Sequence, residues 1–132
     1  MIILEAGQVF FLPNCRHAKP APKDKLVLLT CVKPTPLGLF INSRISPFVR
    51  KQPHLMQCHV LLEASQHDFL EHDSYVGCTA TNLYLYSVDE LVNYRGFISH
   101  PAREQIIAAI KFSTDIEPFY KTAMLSELEV IS

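Results

Sequence analysis

The chain of 132 residues has no tryptophan, only four glycines and a formal net charge of −1. It contains no run of about 18 apolar residues, so no ordinary membrane-spanning helix is expected. The N-terminus, MIILEAGQVFFL, lacks a positively charged stretch and a small-residue cleavage site, so no secretory leader is expected either. There is no Cys-x-x-Cys pair, no internal repeat and no low-complexity tract. Hydrophobic residues make up 48% and charged residues 19%, which excludes intrinsic disorder and fits one globular domain spanning residues 1–132.

A net charge near zero argues against a polyanionic partner, but the charge is unevenly spread. Residues 1–60 carry eight Lys/Arg against Glu5 and Asp24, a net of +6, and residues 61–132 carry four against eleven acidic groups, a net of −7. That split suits a polyanion-binding face on an acidic body. Cys15, Cys31, Cys58 and Cys78 are dispersed, and a chain of this length needs no disulfide. Free buried thiols in a reducing cytoplasm are the expectation. A zinc site from Cys58, His59 and Cys78 would match no compact ligand spacing.

Five or six short strands precede two helices. The strands are Gly7–Leu12, Lys25–Val32, Leu37–Ile41, Gln57–Glu63, Asp73–Cys78 and Leu83–Ser87. Lys25–Val32 reads as continuously apolar and buried on both faces. Leu83 and Leu85 alternate with Tyr84 and Tyr86, whose rings are candidates for the outer face. Residues 13–24 and 42–56 form basic, proline-punctuated loops. Ser87 caps a short turn, VDELVNY. Pro101 opens a helix to about Ser113, and Asp115 caps a second over about residues 115–128, with Ile116, Phe119, Tyr120, Ala123 and Met124 on one face. Strands followed by helices predict an α+β domain, a small antiparallel β-barrel with C-terminal helices.

Several strings resemble the PemK/MazF family of toxins from toxin–antitoxin modules. Ala6-Gly7-Gln8-Val9-Phe10-Phe11 resembles the family's opening strand, Lys25-Leu26-Val27-Leu28-Leu29-Thr30 its second, and Ser74-Tyr75-Val76 a later Ser-x-Val strand. Gly96-Phe97-Ile98-Ser99 followed by Ile106, Ile107 and Ile110 resembles its tail. The likeness covers about residues 6–113. Lys25-Leu26 stands in place of the family's Arg-Pro, Asn42-Ser43 in place of its Thr-Ser, and the terminal helix is an extension. The resemblance implies an SH3-like barrel and cleavage of single-stranded RNA without a metal or other cofactor. It also implies a homodimer and an antitoxin protein lying over the RNA groove.

Such cleavage needs a base for the ribose 2′-hydroxyl, an acid for the leaving oxygen and cations for the phosphorane charge. Lys25 and Arg44 are the candidate cations, Arg44 able to bind bidentately. His17 is a candidate proton carrier. Within HDFLEHDSYV, His67, Asp68, His72 and Asp73 offer an acid–base pair, of which Asp73 precedes the Ser-x-Val strand; a polar turn is the simpler reading of this string. Asn42, Ser43, Arg16, Lys19 and Lys23 are candidates for holding RNA. Loops 13–24 and 43–54 are expected to edge one groove. If the altered motifs mark lost chemistry, the alternative is an inactive barrel that binds a protein or nucleic acid.

Overall fold

A computed structural model describes residues 3–130. Seven strands form one antiparallel sheet: β1 (Gln8–Cys15), β2 (Lys23–Cys31), β3 (Leu37–Asn42), β4 (His59–Leu62), β5 (Ser74–Gly77), β6 (Leu83–Leu85) and β7 (Tyr94–Phe97). Their order is β4-β5-β3-β2-β1-β7, with β6 also on β3. β3 is the fork of this sheet. Leu37–Leu39 pair with β6, whereas Ile41 and Asn42 pair with β5. The helices are two short ones, α1 (Pro47–Arg50) and α2 (Pro53–Met56), and two long ones, α3 (His100–Phe112) and α4 (Pro118–Leu128). The result is α+β, a curled half-barrel sheet with C-terminal helices.

Alternation along β1–β3 explains the layers. Val9, Leu28 and Leu39 are register neighbours on one face and meet Ile106, Ile110, Met124 and Leu128 of the long helices in the larger core. Phe10, Val27 and Phe40 are neighbours on the other face, in a second core with Leu12, Leu29, Tyr86 and Leu91. A strand covered on both sides has no reason to alternate polar and apolar residues, which is why KLVLLTCV is a continuous run.

Five local expectations need correction. β1 continues through Pro13 to Cys15, which pairs with Lys23 past a register shift. Asn14 takes φ 51° there and its N–H donates to Asp24 Oδ1 at 2.9 Å. A bulge accommodates a proline that has no N–H to give, and it shortens the first basic loop to residues 16–22. The second loop contains α1 and α2; Ser46 Oγ accepts from Val49 N. After Ser87 only Val88–Glu90 form a 3-10 turn, and β7 follows. α4 begins at Pro118 and is not capped by Asp115, whose Oδ1 accepts from Ala80 N and Ser113 Oγ instead. Phe119 is consequently exposed, while Ile116, Met124 and Leu128 are buried. Finally, Tyr86 is not an outward ring.

The Tyr86 ring is 3% exposed and lies over Gly38, where an added Cβ would come within 2.9 Å of it. The tyrosine side of β6 is thus the covered side, and Leu85 is the exposed one. Tyr86 Oη has no hydrogen-bond partner among the described residues. A buried hydroxyl without a partner costs stability. Tyr86→Phe is therefore expected to raise the free energy of unfolding by about 1 kcal/mol in urea titrations; a loss of that size would show that the hydroxyl is satisfied.

The terminal helix packs on its own sheet. The Glu127 carboxylate accepts from Val32 N at 2.9 Å and Lys33 N at 3.0 Å, at the end of β2. Arg103 of α3 donates to the carbonyls of Glu127 and Leu128 in the last turn of α4, where a helix leaves its carbonyls short of intrahelical partners, and to the carbonyl of Ala6 just before β1.

Candidate nucleic-acid interface

The register Leu26–Ile41 places Lys25 opposite Asn42, and Asn42 in turn pairs with Tyr75. Directly opposed residues point to one face, so Lys25, Asn42 and Tyr75 form a row across β2, β3 and β5. The row continues the second-core face beyond Val27 and Phe40 to the end of the sheet. Lys25 Nζ donates to Asn42 Oδ1 at 2.6 Å and lies 4.7 Å from the centre of the Phe40 ring. Burial, and then the charge of Lys23, pull the Lys25 pKa below the usual lysine value.

From Asn42 the polar contacts run inward. Asn42 Nδ2 donates to Asn82 Oδ1 at 3.0 Å, and Asn82 Nδ2 donates to Thr79 Oγ1 at 2.8 Å. Thr79 Oγ1 is 3.1 Å from Thr81 Oγ1. Gly77 makes the room, since a Cβ there would meet Asn82 Nδ2 at 2.3 Å. Sequence reasoning passed over Asn82 and Thr79. Their only signal is a short polar string, TATN, between two strands.

On the other side of Lys25 the rings form a row. Phe40 and Tyr84 are 5.1 Å apart, and His17 stacks on Tyr84 at 4.4 Å with an interplanar angle of 14°. His17 Nε2 donates to Leu85 O at 3.1 Å, the role a carbonyl partner imposes. That leaves Nδ1 as the acceptor nitrogen. The His17 and Tyr84 rings are half-exposed, while Phe40 lies buried beneath Lys25; half-exposed rings beside cations are elements of single-stranded nucleic-acid binding, where bases stack and phosphates pair.

The remaining candidates are dispersed. Arg16 grips Glu90 with both ends of its fork, Nε to Oε2 at 3.1 Å and Nη2 to Oε1 at 3.0 Å. The bond from Arg16 lowers the Glu90 pKa. Lys23 is exposed beside Lys25, and Lys19 is exposed in the loop. Ser43 and Arg44 are exposed just past β3. Asp73 stands at the same end of the sheet, where Oδ1 accepts from Ala64 N at 2.8 Å. His67 is buried and structural: Nδ1 donates to Glu63 O and Nε2 accepts from Ser99 N. Asp68 and His72 are exposed in the same turn. The two loops leave one end of the sheet. The first bends onto Tyr84, and the second bends toward the end of α3, where His54 Nε2 lies 3.0 Å from Thr114 Oγ1.

All four cysteines are free and buried. Burial pushes the Cys31 thiol up to about 11 and raises Cys58 and Cys78 as well. No three His, Cys, Asp or Glu side chains gather as metal ligands among the described residues. No helix there is long and apolar enough to cross a membrane.

No protein-family model and no curated protein matches the sequence. Solved structures do match in fold. One is an endoribonuclease in complex with its cognate antitoxin from a Mycobacterial species, with TM-score 0.58 and 16% identity over 82% of this chain and 91% of that one. Another is Mycobacterium tuberculosis toxin MazF-mt6, with TM-score 0.56 and 15% identity over 78% of this chain and 91% of that one. At such identities the likeness is one of fold: the chain has a PemK/MazF-like fold.

Proposed function

We propose that this protein is a toxin-type endoribonuclease that cleaves single-stranded RNA without a metal and is held in check by an antitoxin. The observation that carries the reading is the half-buried Lys25 ammonium, bonded to Asn42 and set at the end of the ring row Phe40–Tyr84–His17. Lys25 has no carboxylate partner among the described residues. Its remaining protons are free for a phosphate, and a base would stack at the half-exposed His17 and Tyr84 rings.

In this reading Lys25 offsets the charge on the phosphorane, and Arg44 holds a flanking phosphate. His17 Nδ1 takes the proton from the 2′-hydroxyl, which attacks phosphorus, and the leaving 5′-oxygen is protonated by Asp73 or by water. Asn42, Ser43, Lys19 and Lys23 line the strand's path, and Arg16 holds the loop that carries His17. The protein acts in the cytoplasm as a homodimer. Support for an antitoxin comes from the fold, since one structural neighbour is an endoribonuclease bound to its cognate antitoxin. The test is incubation of mixed-sequence RNA with the protein in excess chelator. Discrete cleavage products are expected, and intact RNA at all ratios of protein to substrate would overturn the catalytic reading.

A further inference from the structure

We infer that Asn82 is the positioning residue of this site, turning the Asn42 carboxamide so that its oxygen, not its amino group, faces Lys25. Its consequence for cleavage rests on the function proposed above; the geometry does not.

A carboxamide has two ends of nearly equal shape and opposite hydrogen-bonding character. An ammonium only donates, so a fixed contact with Lys25 needs Asn42 Oδ1. The Asn42 amino group must then find an acceptor on its other side, and Asn82 Oδ1 supplies it at 3.0 Å. That choice fixes Asn82 in turn, because its own amino group must be accepted, and Thr79 Oγ1 does so at 2.8 Å. With that lone pair occupied, the Thr79 hydroxyl is free to donate to Thr81 Oγ1 at 3.1 Å. Every donor in the chain points away from Lys25, and reversing any one carboxamide sets two donors face to face. Thr79, the acceptor for the Asn82 amino group, is nearly enclosed at 5% exposed. Gly77 leaves the Asn82 side chain its place, since any Cβ would overlap it.

Lys25 by itself is a long side chain with several rotamers. Held by an acceptor of fixed direction over the Phe40 ring, it has one position, and its free protons have one direction. Preorganised donors of this kind act on the transition state more than on substrate binding. The groups whose charge acts on Lys25 are Lys23 and the Cys15 thiol, and neither belongs to the chain of carboxamides.

Asn82→Ala removes the acceptor, and Thr79→Val, close in shape, removes only the terminal one. Lys25 titration followed by side-chain NMR in the absence of RNA reads the geometry directly. In both variants the Lys25 pKa is expected to rise toward the ordinary lysine value as the ammonium swings into solvent. kcat is expected to fall about tenfold with KM within about twofold, roughly the worth of one hydrogen bond made in the transition state. Thr79→Ser should restore both readouts. A Lys25 titration unchanged in Thr79→Val and Asn82→Ala would overturn the inference. If Asn82→Ala does not fold, Thr79→Val and Thr79→Ser decide it. If the wild type cleaves no RNA, the ribonuclease reading falls and the titration alone decides whether Asn82 positions Lys25.

Discussion

Lys25→Ala is expected to lower RNA cleavage by about 10²- to 10³-fold, the usual cost of removing one preorganised transition-state donor. The melting temperature should change little, because Lys25 stands at the end of the sheet and belongs to neither core. Lys25→Arg keeps the charge but cannot repeat a single short bond to Asn42 Oδ1 with the same geometry, so partial activity is expected. The pH profile offers an independent check. Burial and Lys23 lower the pKa of Lys25, so the charged form gives way to the neutral one earlier than for a free lysine. Activity should decline on the alkaline side at a pH below the ordinary lysine value. Lys23→Ala removes one of the two causes and should move that limb upward. Wild-type cleavage rates in Lys25→Ala would remove Lys25 from the chemistry.

The second large effect concerns the core. Leu28→Ala should lower the free energy of unfolding by about 3 kcal/mol, in the range for a buried leucine truncated in a packed interior. Leu28 is fully enclosed and stands between Val9 and Leu39 in the register, against the helices of the larger core. The expected fall in melting temperature is roughly 10 °C for a domain of this size. Urea or thermal unfolding measures it directly. A loss below about 1 kcal/mol would mean that α3 and α4 can settle into the space, and that the larger core is less tightly packed than its enclosure indicates.

These two residues also mark how far the sequence could be read. The first three strands were legible because doubly covered strands are long apolar runs, although Pro13 does not end β1. α3 was legible from Pro101 and its isoleucine stripe. β7 was not. Tyr94–Phe97 is four residues long, largely exposed and broken by Gly96, so neither alternation nor a continuous run marks it. The inverted face of β6 was hidden for a related reason. Gly38, on another strand, leaves the room in which the Tyr86 ring is covered, while Leu85 is exposed. Lys25 and Asn42 were named as candidates, but their contact depends on register, which no local pattern specifies. The charge asymmetry was real in sequence and dispersed in space. Arg16 is matched by Glu90, and Lys33 sits in the β2–β3 turn at the far end of the sheet. The case for RNA therefore shifts from overall basicity to one lysine and a row of rings.

The fork at β3 has a consequence for how the site works. Because β5 and β6 share one partner strand, the segment joining them, residues 78–82, is short and anchored at both ends. A short tethered connection has little conformational entropy to lose. Asn82 and Thr79 thus sit on a connection whose ordering cost is met when the sheet folds. For the proposed ribonuclease this predicts lock-and-key docking rather than closure, with little of the binding free energy lost to ordering a loop.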